Sequence, residues 1–313
     1  MRPLPKFTVI IPTYNWSSVL PYSIGSALRQ TMADFELLVV GDGCTDDSEA
    51  VVKSIADSRV RWINLTTNSG HQSAPNNEGL RQAQSDYIAY LGHDDLWLPN
   101  HLELLAGALN AGATLAYNVT AIVNADGTRT PFPDQLGRYV RGLWIPPSGV
   151  AHRRQAAIEA GGWPLFADVD CDPELSLWER IYDAGGRIEF VPRLTTIKLS
   201  AALRKDSYKR RSADEQEAWA ARIVSEPDLE ATELVQMLPS RERPREKPFS
   251  DTARAFAADI AMRVRRRLFG KPQSMQVSRE ELFNQRREFK GLSKQAPPGR
   301  SQTLVPGQSR GTE

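Results

Sequence analysis

The sequence predicts an α/β fold, with a mostly parallel sheet flanked by helices. Short apolar runs rich in Val and Ile alternate with segments of helical spacing, as in successive βαβ units. Polar or acidic loops follow the runs that end at Ile11, Val40 and Leu91. The carboxyl ends of parallel strands meet at one sheet edge, where such folds bind ligands.

Composition indicates a soluble globular protein, with 41% hydrophobic and 25% charged residues in 313. Residues 1–200 carry 16 Lys/Arg against 22 Asp/Glu, so the part with the acidic loops gives no support to a nucleic-acid substrate. Two cysteines are too few for a disulfide framework. No apolar run approaches the roughly 20 residues that cross a bilayer, and no signal peptide is recognisable, so we expect a cytoplasmic protein.

The first hundred residues are expected to form the nucleotide-binding half of a domain that spans residues 1–225. Four β-branched or aromatic runs predict its strands, at residues 7–11, 35–40, 60–64 and 87–91. Segments with helical spacing and N-cap residues predict the helices between them, at residues 16–30, 48–56 and 76–84.

Residues 101–225 are expected to form the acceptor half of this domain. Helices are predicted over 99–112, 150–161 and 173–184, and strands over 114–117, 121–123, 188–191 and 194–199. Residues 226–290 predict a helical, basic extension, and residues 291–313, which lack apolar periodicity, predict a disordered tail.

Two adjacent carboxylates, Asp94 and Asp95, follow the strand predicted over 87–91. Adjacent buried carboxylates repel each other, so a fold that buries them usually supplies a cation. We therefore expect this loop to hold a divalent metal and, through it, a diphosphate. The alternative is an acidic turn in which Asp94 caps a helix.

Six segments in order resemble the family 2 glycosyltransferases of the GT-A fold, over roughly residues 6–200. They are VIIPTYN at 9–15, QT at 30–31 with FEL at 35–37, VVGDGCTDD at 39–47, NNEGL at 76–80, YIAY at 87–90 and HDDLWLP at 93–99. The chain departs from the family pattern at Gly41 and Gly92, where the family usually has Asp. Asn76 stands where the family often has Arg, which removes one expected phosphate contact.

The resemblance implies an α/β GT-A sheet and a nucleotide-sugar donor, with UDP, GDP or dTDP as the nucleotide. It implies Mg²⁺ or Mn²⁺ held by Asp95, with Asp94 as a second metal ligand that also contacts the ribose. Asp42 is expected to read the base. The complete set of expected nucleotide-binding residues is Pro12, Thr13, Tyr14, Asp42, Asn68 and Asp94.

The general base of an inverting transfer is expected at Glu174, with Asp172 next, because both lie near the family's Leu-Trp-x-Arg-like run at 177–180. The alternative is that Asp172 caps a helix and Glu174 merely favours its first turn. Four residues could contact the diphosphate or the acceptor, although solvent-exposed or structural roles remain open: His71, His152, Arg204 and Lys205.

Together these features predict a metal-dependent, inverting glycosyltransferase acting on a glycan or lipid-linked acceptor in cell-surface polysaccharide or glycoconjugate synthesis. The alternative is a non-catalytic module that binds nucleotide sugars. A helix predicted over 251–269 has an apolar face and an arginine-rich end. It could lie on an anionic membrane, pack on the globular body or pair in an oligomer.

Overall fold

The computed structural model describes residues 4–133, 137–237 and 278–295. Within these ranges the strands form one mixed sheet. Their bounds are β1 (Phe7–Thr13), β2 (Phe35–Gly41), β3 (Val60–Asn64), β4 (Tyr87–Tyr90), β5 (Leu96–Trp97), β6 (Leu115–Val123), β7 (Arg129–Phe132), β8 (Val150–Arg153) and β9 (Ile188–Lys198).

The strand order is β3-β2-β1-β4-β8-β6-β9-β5, with β7 on the side of β6. Strands β1 to β4 pair in parallel, in agreement with the βαβ pattern of the sequence. Strand β8 then pairs antiparallel with both β4 and β6, so the sheet becomes mixed in its second half. The carboxyl ends of β1, β2 and β4 lie together at one edge.

Helices cover both faces of the sheet. Their bounds are α1 (Leu20–Leu28), α2 (Ser48–Ser54), α3 (Ser73–Gln82), α4 (His101–Asn110), α5 (Arg154–Glu159), α6 (Pro173–Asp183), α7 (Ser207–Arg210), α8 (Asp214–Ser225), α9 (Leu229–Met237) and α10 (Arg279–Lys290). Successive side chains of a strand point to opposite faces. Val9 and Ile11 therefore join the core under α1 and α4, and Ile10 joins the core under α3 and α6.

Two predictions for the second half of the domain were wrong in detail. The segment predicted as one helix over 150–161 begins with strand β8, because its backbone fills the gap between β4 and β6. The strand pairs predicted over 114–123 and 188–199 are two long strands, β6 and β9, paired in parallel. The helix predicted over 251–269 lies outside the described residues. No helix in the described ranges has the length and apolar character needed to span a bilayer.

Candidate functional site

A cavity of about 910 Å³ opens at the carboxyl ends of β1, β2 and β4. Most side chains for which the sequence predicts a site role line this one cavity. They are Pro12, Thr13, Tyr14, Asp42, Asn68, His71, Asp94, Asp172 and Glu174. These residues are separated by up to 162 positions in the chain, and the fold brings them together.

Asp42, directly after β2, is 4% exposed and organises the loop that begins at Asn68. Its Oδ1 accepts a hydrogen bond from the Ser69 N–H at 2.9 Å. Its Oδ2 accepts from Asn68 Nδ2 and from the Gly70 N–H, each at 3.0 Å. Burial raises the pKa of Asp42, and the hydrogen bonds from Ser69 and Gly70 oppose that rise. The side chain is therefore held rigidly at the cavity wall, and its reading of the base stays a prediction.

An aromatic wall stands beside Asp42. The Tyr208 ring lies 6.4 Å from Tyr14 and 5.2 Å from Trp16. The His93 ring links this wall to β1, because its Nδ1 lies 2.9 Å from Thr13 Oγ1 and its Nε2 lies 3.3 Å from the Tyr208 hydroxyl. Both imidazole nitrogens of His93 are thus occupied. The wall offers flat apolar surface on which a nucleobase can stack.

The neighbouring carboxylates Asp94 and Asp95 have different surroundings. Asp95 has no exposed surface and accepts from Ser148 Oγ at 2.5 Å, from the Leu199 N–H at 2.9 Å and from Lys198 Nζ at 2.9 Å. Asp94 lines the cavity and accepts from the Ala201 N–H at 2.7 Å through Oδ2 alone. The geometry therefore turns Asp94, and not Asp95, toward a ligand.

The charges around Asp94 favour its ionised form. Burial opposes ionisation, but His93 and Lys198 outweigh it and lower the pKa of Asp94. Lys198 is half-buried; burial opposes its charged form, but Asp95 and Asp94 outweigh that effect and raise the pKa of Lys198. An ion pair therefore lies directly beneath the cavity-facing carboxylate.

The described residues fit a divalent metal only through a single carboxylate, that of Asp94. Among the described residues, no group of three or more His, Cys, Asp or Glu side chains converges on a metal position. Mg²⁺ is commonly bound through one or two carboxylates, with substrate phosphates and water completing its coordination. Asp94 Oδ1, which no other described residue contacts by a hydrogen bond, can supply one such ligand. The oxygens of Asp95 are already engaged by Ser148, Lys198 and Leu199. The expected role of Asp95 as the principal metal ligand stays a prediction.

Glu174 lies in the first turn of α6, is 7% exposed and faces the cavity. Its Oε1 accepts from Trp144 Nε1 at 3.0 Å, and its buried Oε2 has no hydrogen-bond partner among the described residues. Burial raises the pKa of Glu174, against the hydrogen bond from Trp144. Such a carboxylate has one oxygen fixed and the other available to accept a proton.

Asp172, the other candidate base, occupies the N-cap position of α6 without making a side-chain capping hydrogen bond. Its Oδ1 lies 2.6 Å from Arg286 Nη1, a residue of α10. That ion pair occupies one of its oxygens. The geometry thus favours Glu174 over Asp172 as the base, and the role of either stays a prediction.

Three candidate contacts lie away from the cavity. His152 is wholly buried on β8, lies 3.1 Å from the Tyr90 hydroxyl, and has its pKa lowered by burial to about 4. Arg204 pairs with Glu215 of α8, and Lys205 is exposed outside the cavity lining. His71 does line the cavity, packed 5.4 Å from the Phe166 ring.

The structure adds cavity residues to which the sequence reasoning gave no site role: Lys198, Arg286, Arg287 and Lys290. The last three belong to α10, within the extension predicted over 226–290. A Ser-x-x-Glu capping box at 278–281 and Gly291 mark the ends of this helix in the sequence. Nothing local in the sequence indicates that the helix returns to the cavity.

Comparison with known proteins agrees with this geometry. The model of the family described as "Glycosyl transferase family 2" matches residues 8–160. The Escherichia coli protein "UDP-Glc:alpha-D-GlcNAc-diphosphoundecaprenol beta-1,3-glucosyltransferase WfgD" is 33% identical over 118 residues, 37% of this chain and 46% of that protein. The Campylobacter jejuni protein "GalNAc(5)-diNAcBac-PP-undecaprenol beta-1,3-glucosyltransferase" is 34% identical over 34% of this chain and 33% of its own length. The chain thus matches less than half of the length of these curated relatives.

A solved structure supports the fold. The crystal structure of S. aureus TarS residues 1–349 in complex with UDP-GlcNAc superposes with a TM-score of 0.55. The match has 20% sequence identity and covers 74% of this chain and 70% of that one. The sheet flanked by helices is therefore a GT-A sheet, as the sequence predicts. The family match identifies residues 8–160 of the chain as a glycosyl transferase family 2 domain.

Proposed function

We propose that the chain transfers a sugar from a nucleotide-diphosphate donor to a hydroxyl acceptor, with inversion at the anomeric carbon. One observation carries the proposal: a buried carboxylate with a free oxygen, Glu174, shares a cavity with Asp42 and Asp94. The first could supply the base, and the other two line the place where a nucleotide would bind. A non-catalytic binding module would need no such carboxylate.

In the proposed reaction, the oxygen of the acceptor hydroxyl bonds to the anomeric carbon, and Glu174 accepts the proton that this hydroxyl releases. The bond from that carbon to the diphosphate breaks on the opposite face, and the nucleoside diphosphate leaves with the bonding electrons. Trp144 fixes Oε1 and so orients Oε2 toward the acceptor. Burial keeps water from solvating the carboxylate, which makes it a stronger base.

We propose UDP as the nucleotide, supported by the UDP-Glc in the name of the WfgD relative. Asp42 would accept the imide N–H of uracil, and the Tyr14 and Tyr208 rings would flank the base. We propose that Mg²⁺ or Mn²⁺ is held through Asp94, where it would neutralise charge on the leaving diphosphate.

We propose a lipid-linked glycan as the acceptor, in cell-surface glycan synthesis at the cytoplasmic face of a membrane. The support is that both relatives named above carry undecaprenol-linked acceptors in their names. Peripheral membrane contact through residues 251–269 remains part of the proposal. Replacing the arginines at 263 and 265–267 by Gln should weaken binding to anionic vesicles, and unchanged binding would contradict it.

The test begins with a thermal-shift screen of UDP-, GDP- and dTDP-sugars, with and without Mn²⁺, because a bound ligand raises the Tm. UDP release from the best donor is then measured with a lipid-linked acceptor, in the wild type and in Asp94→Asn. We expect release that needs the divalent ion and falls sharply in the variant. Binding without turnover would favour the non-catalytic module, and release insensitive to EDTA would contradict the metal proposal.

A further inference from the structure

Helix α10 closes one side of the cavity, although it lies more than 180 residues beyond Asp94 in the chain. The helix has well-defined ends: Ser278 Oγ accepts from the Glu281 N–H, and Gly291 follows the last turn with a φ of +85°. The α10 residues that line the cavity are Leu282, Phe283, Gln285, Arg286, Arg287, Phe289 and Lys290.

Specific contacts dock α10 on the domain of residues 4–237. Phe283 is 3% exposed, and its ring lies 5.4 Å from the Phe166 ring. Arg286 Nη1 lies 2.6 Å from Asp172 Oδ1. An apolar anchor and an ion pair thus fix which face of α10 meets the cavity.

Two cations on that face are incompletely paired. Arg287 is 7% exposed; its Nε donates to the Ser293 carbonyl at 2.8 Å, but its buried Nη1 has no partner among the described residues. Lys290 is half-buried and makes no ion pair or hydrogen bond within the described ranges. Burial lowers the pKa of both side chains, against the attraction of Asp42 for Arg287 and of Asp94 for Lys290.

Buried cations without partners are unfavourable, and phosphate oxygens are strong partners for them. We infer that Arg287 and Lys290 bind the diphosphate of the nucleotide-sugar donor, so that α10 forms part of the donor site. The cavity of about 910 Å³ exists with α10 in place, and is of ligand-binding size. Helix α10 therefore lines the donor site and does not occupy it. This inference rests on the proposed function.

The test compares UDP with uridine, which lacks the diphosphate, by titration against the full chain. The variant Arg287→Gln/Lys290→Gln removes the two cations. The control Lys209→Gln/Lys294→Gln removes two exposed positive charges outside the cavity lining. For Arg287→Gln/Lys290→Gln we expect a ~10- to 100-fold higher Kd for UDP with uridine binding unchanged. The control should bind both ligands as the wild type does.

Thermal unfolding of each variant establishes that it is folded. The variant Lys290→Arg keeps the positive charge and should retain much of the UDP affinity that Lys290→Gln loses. Unchanged UDP affinity in Arg287→Gln/Lys290→Gln would overturn this inference and leave the proposed function standing. An equal loss for UDP and uridine would also overturn it, because it would indicate displacement of α10. Failure of the wild type to bind UDP, GDP and dTDP would overturn the proposed function itself.

Discussion

The Lys198 ammonium lies 2.9 Å from Oδ2 of Asp95, a carboxylate with no exposed surface. This ion pair ties the end of β9 to the loop after β4. The Asp95 Oδ1 contact with the Leu199 N–H adds a second tie at the same point. Asp95 thus holds the cavity floor together and positions Asp94 and Lys198 at its surface.

Replacing Asp95 by Asn should destabilise the protein, because it removes the ion-pair partner of the half-buried Lys198 and places an uncharged amide among three hydrogen-bond donors. We expect a loss of about 1.5–3 kcal/mol in the free energy of unfolding, measured by urea denaturation. The control Asp183→Asn breaks an exposed ion pair with Arg141 and should change stability by less than about 1 kcal/mol. Equal effects of the two changes would show that the Asp95–Lys198 pair is not a structural tie.

Replacing Trp144 by Phe should change the pH dependence of turnover. The Trp144 hydrogen bond lowers the pKa of Glu174, which burial raises. As a base Glu174 must be ionised, so kcat/KM falls as the pH drops through its pKa. Without the hydrogen bond the pKa rises further, and the acidic limb of the profile should move to higher pH. The control Trp62→Phe changes a residue outside the cavity lining and should leave the acidic limb in place. An acidic limb that does not move in Trp144→Phe would show that the Trp144 hydrogen bond does not set the pKa of Glu174.

Replacing both Arg204 and Lys205 by Ala should leave UDP affinity unchanged. Arg204 is held by Glu215 and by the Val123 carbonyl, and Lys205 stands outside the cavity lining. Calorimetric titration of the folded double variant with UDP measures this directly. A clear loss of UDP affinity would instead support the prediction from the sequence that Arg204 or Lys205 contacts the diphosphate.

The first half of the fold could be predicted from the sequence because its strands are continuous β-branched runs bounded by polar loops. The positions of Tyr14, Asp42 and Asp94 at one edge follow from parallel topology alone. Strand β8 could not be predicted, because residues 150–161 have helical spacing and only the vacancy between β4 and β6 makes their beginning a strand.

Other parts of the site depend on contacts between distant segments. Lys198 reads in the sequence as the polar end of a strand, and only the pairing of β9 places its ammonium on Asp95. Arg287 and Lys290 read as solvated charges on an amphipathic helix. Their burial depends on docking through Phe283 and Arg286, which no local pattern specifies.

The central claim is that Glu174 is the base of a glycosyl transfer. It is tested most directly by UDP release from a UDP-sugar in the wild type and in Glu174→Gln, with UDP affinity measured alongside. We expect kcat to fall ~100- to 10,000-fold while the Kd for UDP stays the same, because only proton transfer is lost. Turnover by Glu174→Gln at the wild-type rate would contradict the account.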